Sequence, residues 1–256
     1  MLKEGSGEPI VLFHGVTCSE RVWGRVLPLL SVNHYVVAPT LLGHRGGTAA
    51  KKGTRMADVI DDAEAILDRL KLDRPHLAGN SMGGWVAIEL ARRGRASSVC
   101  ALSPAGFWDV SSGSQSHATE ILKKVVARTQ SSRWALPLLS KFGAVRKSAM
   151  RANAVNGHRL TDKEFINMAD DLLGCSARND LLNTTEQIEA FNSIPCPIML
   201  AWSQCDRIFP LQVNGEIARK LIPEAEWRVL PNVGHLPMID DPKLVVETIL
   251  NSVQRG

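Results

Sequence analysis

Nowhere does the chain approach the run of about eighteen apolar residues that a membrane span needs. Its amino terminus, MLKEGSGEPIVLFHG, also lacks the basic start and long apolar stretch of a secretory leader. The five cysteines, Cys18, Cys100, Cys175, Cys196 and Cys205, are odd in number and offer no close pair of the kind that holds zinc. Free thiols in a reducing compartment, and hence a cytoplasmic protein, are the expectation. An excess of one charge is missing as well: 30 Lys and Arg face 26 Asp and Glu, a net +4 that does not by itself imply a nucleic-acid partner. Internal repeats and low-complexity tracts are absent. What remains is an ordinary mixture, 45% hydrophobic and 22% charged in 256 residues. Such a chain is neither disordered nor fibrous, and it is long enough for one domain with a full core.

Six short apolar runs are spaced along it, at residues 10–13, 35–38, 76–78, 98–102, 198–202 and 227–230. Each ends in polar or turn residues, and amphipathic helical patterns lie between them. This alternation predicts βα units feeding a parallel sheet. The strongest helix joins the second and third runs, where Met56, Val59, Ile60, Ala63, Ile66, Leu67 and Leu70 recur at spacings of three and four. A second opens directly after Ser81, with Val86, Ala87, Leu90 and Ala91 on its inner side. From 108 to about 191 the strand signal vanishes. Ile121, Leu122, Val125 and Val126, and later Phe165, Met168, Ala169, Leu172 and Leu173, predict helices there, the second one opened by a capping box from Thr161 to Glu164.

The serine at 81 stands between two glycines, Gly79 and Gly83, each two positions away, after a strand run and before a helix. A strand that turns sharply into a helix presents one side chain at the tip of a strained turn, and small residues on both sides relieve the crowding. The Ser81 hydroxyl is thereby raised, and the helix amino terminus behind it favours negative charge. The Met82 N–H becomes a donor for an oxyanion, and the loop His14-Gly15-Val16-Thr17 after the first run is the place for a second donor, assigned to Val16. His14 itself reads as a residue that orients backbone.

A serine hydroxyl needs a histidine to take its proton and a carboxylate to hold that histidine in one tautomer. His235 follows the last strand run, with Gly234 permitting a tight loop, so it lies at the same sheet edge as Ser81. Asp206 follows the run ending at Trp202 and is the expected acid, with Asp109 as its rival. Asp240 and Asp241 read as the capping start of the final helix, with Pro242 in its first turn.

Together these residues resemble the α/β-hydrolase fold superfamily, in its lid-bearing serine hydrolase branch of esterases, proline iminopeptidases, cofactor-free haloperoxidases and carbon–carbon bond hydrolases. The resemblance spans nearly the whole chain. His14-Gly15 matches the oxyanion loop, Gly79 to Gly83 the nucleophile elbow, Asp206 the acid loop and Gly234-His235 the base loop. Residues 42–47, LGHRGG, resemble the glycine-rich loop after the second strand. The implied fold is α/β, a mostly parallel sheet flanked by helices, with residues 1–107 and 192–256 as core and 108–191 as a helical cap. Family members carry a pair of antiparallel strands before the oxyanion loop, whereas only nine residues precede Ile10. Those strands are expected to be missing or shortened, unless the native start lies upstream. A lost edge would expose the second run to another chain and leave room for a homodimer.

The resemblance also implies a reaction: attack by Ser81 on a carbonyl, proton transfer to His235, orientation by Asp206, and an oxyanion held by the Val16 and Met82 amides, with neither metal nor organic cofactor. Serine in place of aspartate argues against the dehalogenase and epoxide hydrolase chemistries of the family. The expected substrate is a small molecule with an acyl or carbonyl group, a carboxylic ester or thioester first. NSMGG at residues 80–84 is similar to the elbow of carbon–carbon bond hydrolases of aromatic ring-fission products, which stand as the alternative. HGVTCSER at 14–21 lacks their longer glycine-rich segment. A non-catalytic ligand-binding protein on the same fold is the other alternative.

Within 121–159 stand Lys123, Lys124, Arg128, Arg133, Lys141, Arg146, Lys147, Arg151 and Arg159 without one acidic residue. Such a stretch attracts an anionic substrate or surface, but Lys124 and Arg128 share a face away from the apolar stripe, and a solvated helix face is the expectation. Trp108 and Trp134 either line an apolar pocket or anchor the insertion. Cys18 and Cys205 read as small residues near the site, not as second nucleophiles.

Overall fold

A computed structural model of the chain describes residues 1–108 and 114–256, the side chains of 114–117 set aside. Strands β1 (Leu2–Glu4), β2 (Pro9–Phe13), β3 (Tyr35–Ala38), β4 (His76–Asn80), β5 (Val99–Leu102), β6 (Ile198–Ser203) and β7 (Glu226–Leu230) form one sheet in the order β1-β3-β2-β4-β5-β6-β7. The six apolar runs are β2 to β7, and all pairings among them are parallel.

Successive residues of a strand point to opposite faces, and here both faces are covered, which is why the runs are continuously apolar. Val11 and Phe13 of β2 join one core with Val37, Leu77, Val99 and Leu200. Ile10 and Leu12 join the other with Val36, Ala78, Cys100 and Met199. Helix α1 (Leu27–Leu30) and Trp23 pack on the second face, while α2 (Met56–Arg69) and α3 (Met82–Arg92) cover the first. The predicted stripe of α2, from Met56 through Leu67, is buried, and Leu70 caps its end.

Between β5 and β6 the described residues contain no strand. They form α4 (Ser114–Ser132), α5 (Leu136–Leu139), α6 (Gly143–Met150), α7 (Asp162–Gly174) and α8 (Arg178–Leu182), a helical insertion as expected. The capping box of α7 is formed: Glu164 N–H donates to Thr161 Oγ1 (3.2 Å) and Thr161 N–H to Glu164 Oε2 (2.6 Å). After β6 come α9 (Glu216–Leu221), α10 (Pro237–Asp240) and α11 (Pro242–Val253), the last burying Val245 and Ile249 on the second face.

The antiparallel edge is shortened to a single described strand, β1, pairing Leu2 with Ala38 and Glu4 with Val36. The second run is therefore not the open edge that the sequence suggested, because β1 covers it. Three residues, of which only Leu2 is even half-buried, carry no periodic signal. Gly5 and Gly7, at φ 83° and 108°, turn the chain from β1 into β2. Among the described residues no helix is long and apolar enough to cross a membrane.

Candidate active site

The carboxyl ends of the parallel strands lie at one edge of the sheet, and β4, between β2 and β5, is central to it. There Ser81 joins β4 to α3 at φ 56° and ψ −121°, a conformation that a residue with a Cβ rarely adopts. Four backbone bonds hold it. Its N–H donates to Leu102 O (3.0 Å), and its carbonyl accepts from Gly84 (3.0 Å), Trp85 (3.2 Å) and Ala105 (3.0 Å). The flanking glycines are required by contact. A Cβ on Gly79 would sit 2.6 Å from the Gly84 nitrogen and closer still to the Gly83 carbonyl; one on Gly83 would sit 2.8 Å from the His14 oxygen and closer to that of Phe13.

The Ser81 hydroxyl borders a cavity of about 1030 Å³. Among the described residues no hydrogen bond engages its Oγ, and neither the Val16 nor the Met82 N–H donates to a protein acceptor. Val16 borders the cavity too, and both residues border a second, smaller space of about 50 Å³ beside Ser81. That space is walled by Trp85, Trp108, Leu122 and Phe209. Trp108 thus lines a pocket, packed edge-on against Trp85 at 5.5 Å between ring centres. Trp134 lines neither of these spaces and does not anchor the insertion: it is 85% exposed.

Asp206 and His235, from the loops after β6 and β7, are brought together. His235 Nδ1 and Asp206 Oδ2 are 2.8 Å apart, and the carboxylate is fully buried. Asp206 Oδ1 accepts from the Ile208 (2.9 Å) and Phe209 (2.8 Å) amides, so the acid is fixed from both sides. With Asp206 accepting at Nδ1, the Nδ1–H tautomer leaves the Nε2 lone pair free. His235 lines the same large cavity as Ser81, and the ring of Phe209 meets it edge-on at 5.2 Å. The rival acid, Asp109, lies outside the described residues.

Two residues assigned no part in the site from the sequence hold this arrangement. Asn80 Nδ2 donates to Leu102 O (3.1 Å) and to His235 O (2.9 Å), tying the elbow to the base loop. Asp240, buried, accepts from the amides of Gly234 (2.8 Å), Val155 (3.0 Å) and Asn156 (2.6 Å). Leu236 N–H completes the join by donating to Asn153 O (2.8 Å). The expected capping role thus divides. Asp241 is the cap of α11, accepting from Leu244 N–H (3.0 Å), while Asp240 instead fastens the base loop to the insertion. Asn80 sits inside the elbow string and could have been noticed there; two of the three partners of Asp240, Val155 and Asn156, lie more than eighty residues away and leave no local signal.

His14 orients backbone, as its position suggested. Its Nε2 accepts from Leu41 N–H (3.0 Å), which requires the neutral ring, and burial lowers its pKa well below the ordinary value. His44, 4.8 Å from it ring to ring, is lowered to about 4 by burial. Cys18 borders the cavity, but burial, then the nearby Asp171 charge, push its thiol up to about 12, so it stays protonated at neutral pH. Asp171 of α7 is itself buried, accepting from Ser19 Oγ (2.5 Å), Arg21 (3.2 Å) and Arg45 (2.9 Å). Arg45 belongs to the glycine-rich loop after β3, and this cluster pins the insertion to the core below the cavity.

Residues 10–248 match the profile of the alpha/beta hydrolase family. The chain belongs to that family. Epoxide hydrolase EphH of Mycobacterium tuberculosis is 28% identical over 215 residues, 77% of this chain and 94% of that protein. In three dimensions this alpha/beta hydrolase is similar to a thermophilic esterase from Thermogutta terrifontis, with a TM-score of 0.75 and 22% identity over 99% of this chain and 92% of the other. It is also similar to the enol-lactonase of Burkholderia xenovorans LB400, with a TM-score of 0.72 and 17% identity over 99% and 95% of the two chains. At such identities the two structures speak for the shared fold.

Proposed function

We propose that this alpha/beta hydrolase cleaves a carboxylic ester or thioester through Ser81, His235 and Asp206. The observation that carries the reading is the buried His235–Asp206 pair opening onto the same cavity as a serine held in a strained elbow. Ser81 Oγ attacks the substrate carbonyl carbon while its proton passes to His235 Nε2. The carbonyl oxygen becomes an oxyanion between the Val16 and Met82 amides, at the amino terminus of α3. Collapse expels the alcohol or thiol, which takes the proton back from His235, and leaves an acyl group on Ser81. Water, deprotonated by the same imidazole, then releases the acid and restores the hydroxyl. Asp206 holds the imidazole and stabilises its charged form throughout. A hydrogen bond from Ser81 Oγ to His235 Nε2 is absent among the described residues and forms when substrate fills the site.

The two spaces meeting at Ser81 suit a substrate with unequal halves. The apolar space of about 50 Å³ accepts a short alkyl or acyl group, and the cavity of about 1030 Å³ takes the larger part under the insertion, which acts as a cap. The likeness to an epoxide hydrolase is not carried over, since a serine stands at the nucleophile position. A fluorophosphonate probe tests the reading: it labels the wild type and not Ser81→Ala. A panel of p-nitrophenyl esters of rising chain length, with a dienol ring-fission substrate beside it, then fixes the bond cleaved. Absence of labelling of the folded protein at neutral pH removes the acyl-transfer reading in favour of ligand binding.

A further inference from the structure

Residues 133–142 put three large apolar side chains into solvent at every fourth position: Trp134 is 85% exposed, Leu138 63% and Phe142 57%. Between them Leu136 and Leu139 turn inward and line the large cavity. One short stretch is thus the cavity's wall on one side and bare apolar surface on the other. Single exposed hydrophobic residues are commonplace, but a cluster rimmed by charge marks an interaction site. Its own segment is cationic, since residues 121–159 hold nine Lys and Arg and no acid. Some of these cations are engaged: Arg133 pairs with Asp170 at 2.6 Å and Lys124 with Glu120 at 3.8 Å. Arg128, Lys141, Lys147 and Arg151 are exposed and pair with no carboxylate among the described residues.

Two occupants suit an apolar cluster, and the charge chooses between them. A second copy docking by two-fold symmetry would set the same cations against one another, and like charges across a contact repel. An anionic lipid surface satisfies both features, because the rings and Leu138 enter the headgroup layer while the cations face anionic headgroups. We propose that residues 133–142 and the surrounding cations are the surface by which the protein adsorbs to an anionic bilayer without spanning it. Adsorption there sets the wall formed by Leu136 and Leu139 against the lipid boundary, on the path of an apolar substrate. The inference does not depend on the bond that Ser81 attacks.

The test is co-sedimentation of the full chain with vesicles of phosphatidylcholine alone or mixed with phosphatidylserine. Binding is expected to the mixed vesicles, weakening as salt rises, with a blue shift from Trp134, the most exposed tryptophan. The pairs Leu138→Ala with Phe142→Ala, and Lys141→Glu with Lys147→Glu, should each weaken partitioning about tenfold. Both pairs lie on the surface, so fluorophosphonate labelling of Ser81 should persist, separating lost docking from lost folding. No binding to mixed vesicles at low salt, or binding that both variant pairs leave unchanged, overturns the proposal. So does a dimer in solution that Trp134→Ala dissociates, which would assign the patch to a second copy.

Discussion

Replacing Ser81 with glycine should leave the protein more stable than replacing it with alanine, the reverse of the usual order. Ser81 sits at φ 56° and ψ −121°, where a residue with a Cβ carries a strain of about 1–3 kcal/mol. Alanine keeps that strain and glycine releases it. Against the release stands the larger conformational entropy glycine loses on folding, about 0.5–1 kcal/mol. Little packing is forfeited, since residue 81 borders both spaces of the site. The balance favours glycine by about 0–2.5 kcal/mol, centred on about 1 kcal/mol, and each kcal/mol is worth roughly 2–4 °C in a domain of this size. Urea and thermal unfolding of the two variants measure the difference, and since both lack the proposed nucleophile, activity does not confuse it. A glycine variant less stable than the alanine variant by the ordinary half to one kcal/mol would refute the claim that the elbow stores strain.

Three more outcomes follow from the same geometry. Gly83→Ala should destabilise the fold by about 3 kcal/mol, because its Cβ would meet the backbone of Phe13 and His14, which cannot swing away; a loss under about 1 kcal/mol in thermal unfolding counts against that contact. Asp240→Ala orphans three amides, and should lower stability by at least about 3 kcal/mol and turnover by more than about tenfold; unchanged turnover in the folded variant would leave Asp240 no part in placing His235. His44 titrates near 4 in the folded chain against 6.5 ordinarily, so above pH 6.5 both states are neutral and its full contribution is present. As pH falls from 6.5 toward 4 the unfolded chain takes up a proton that the native state refuses, and roughly 3 kcal/mol is lost. His44→Gln should flatten that decline in urea unfolding, and equal slopes for the two proteins would dispose of the assignment.

The parts of the site legible in the sequence are those set by local backbone. Gly79, Ser81 and Gly83 must sit on a sharp turn between a strand and a helix, and that requirement is written within five residues. Asp206 and Gly234-His235 were readable because each follows an apolar run that the periodicity marks as a strand, and parallel strands deliver their loops to one edge. Thr161 and Glu164 announced the start of α7 in the same local way. Long-range polar contacts left no such mark. Asp171 draws Arg21, Arg45 and Ser19 from across the fold, and Asp240 hides behind a neighbour that does cap a helix. Trp134 misled because an aromatic ring in an insertion is ordinarily buried, and nothing within its own segment says that this one is not. β1 escaped because three residues are too few for an alternation to be seen.

The carboxylate of Asp240 gives the helical insertion and the loop of His235, the proposed proton acceptor, a common mooring. Exchanging residues 114–191 for an unrelated helical segment would strip it of two of its three amide partners, leaving a buried anion bonded only to the Gly234 amide beside His235. A chimera of that kind should fail at proton transfer even where its new chamber fits a ligand, unless the donor's counterparts of Val155 and Asn156 travel with the graft. Retargeting this hydrolase by transplanting its insertion is therefore also an operation on the proposed base.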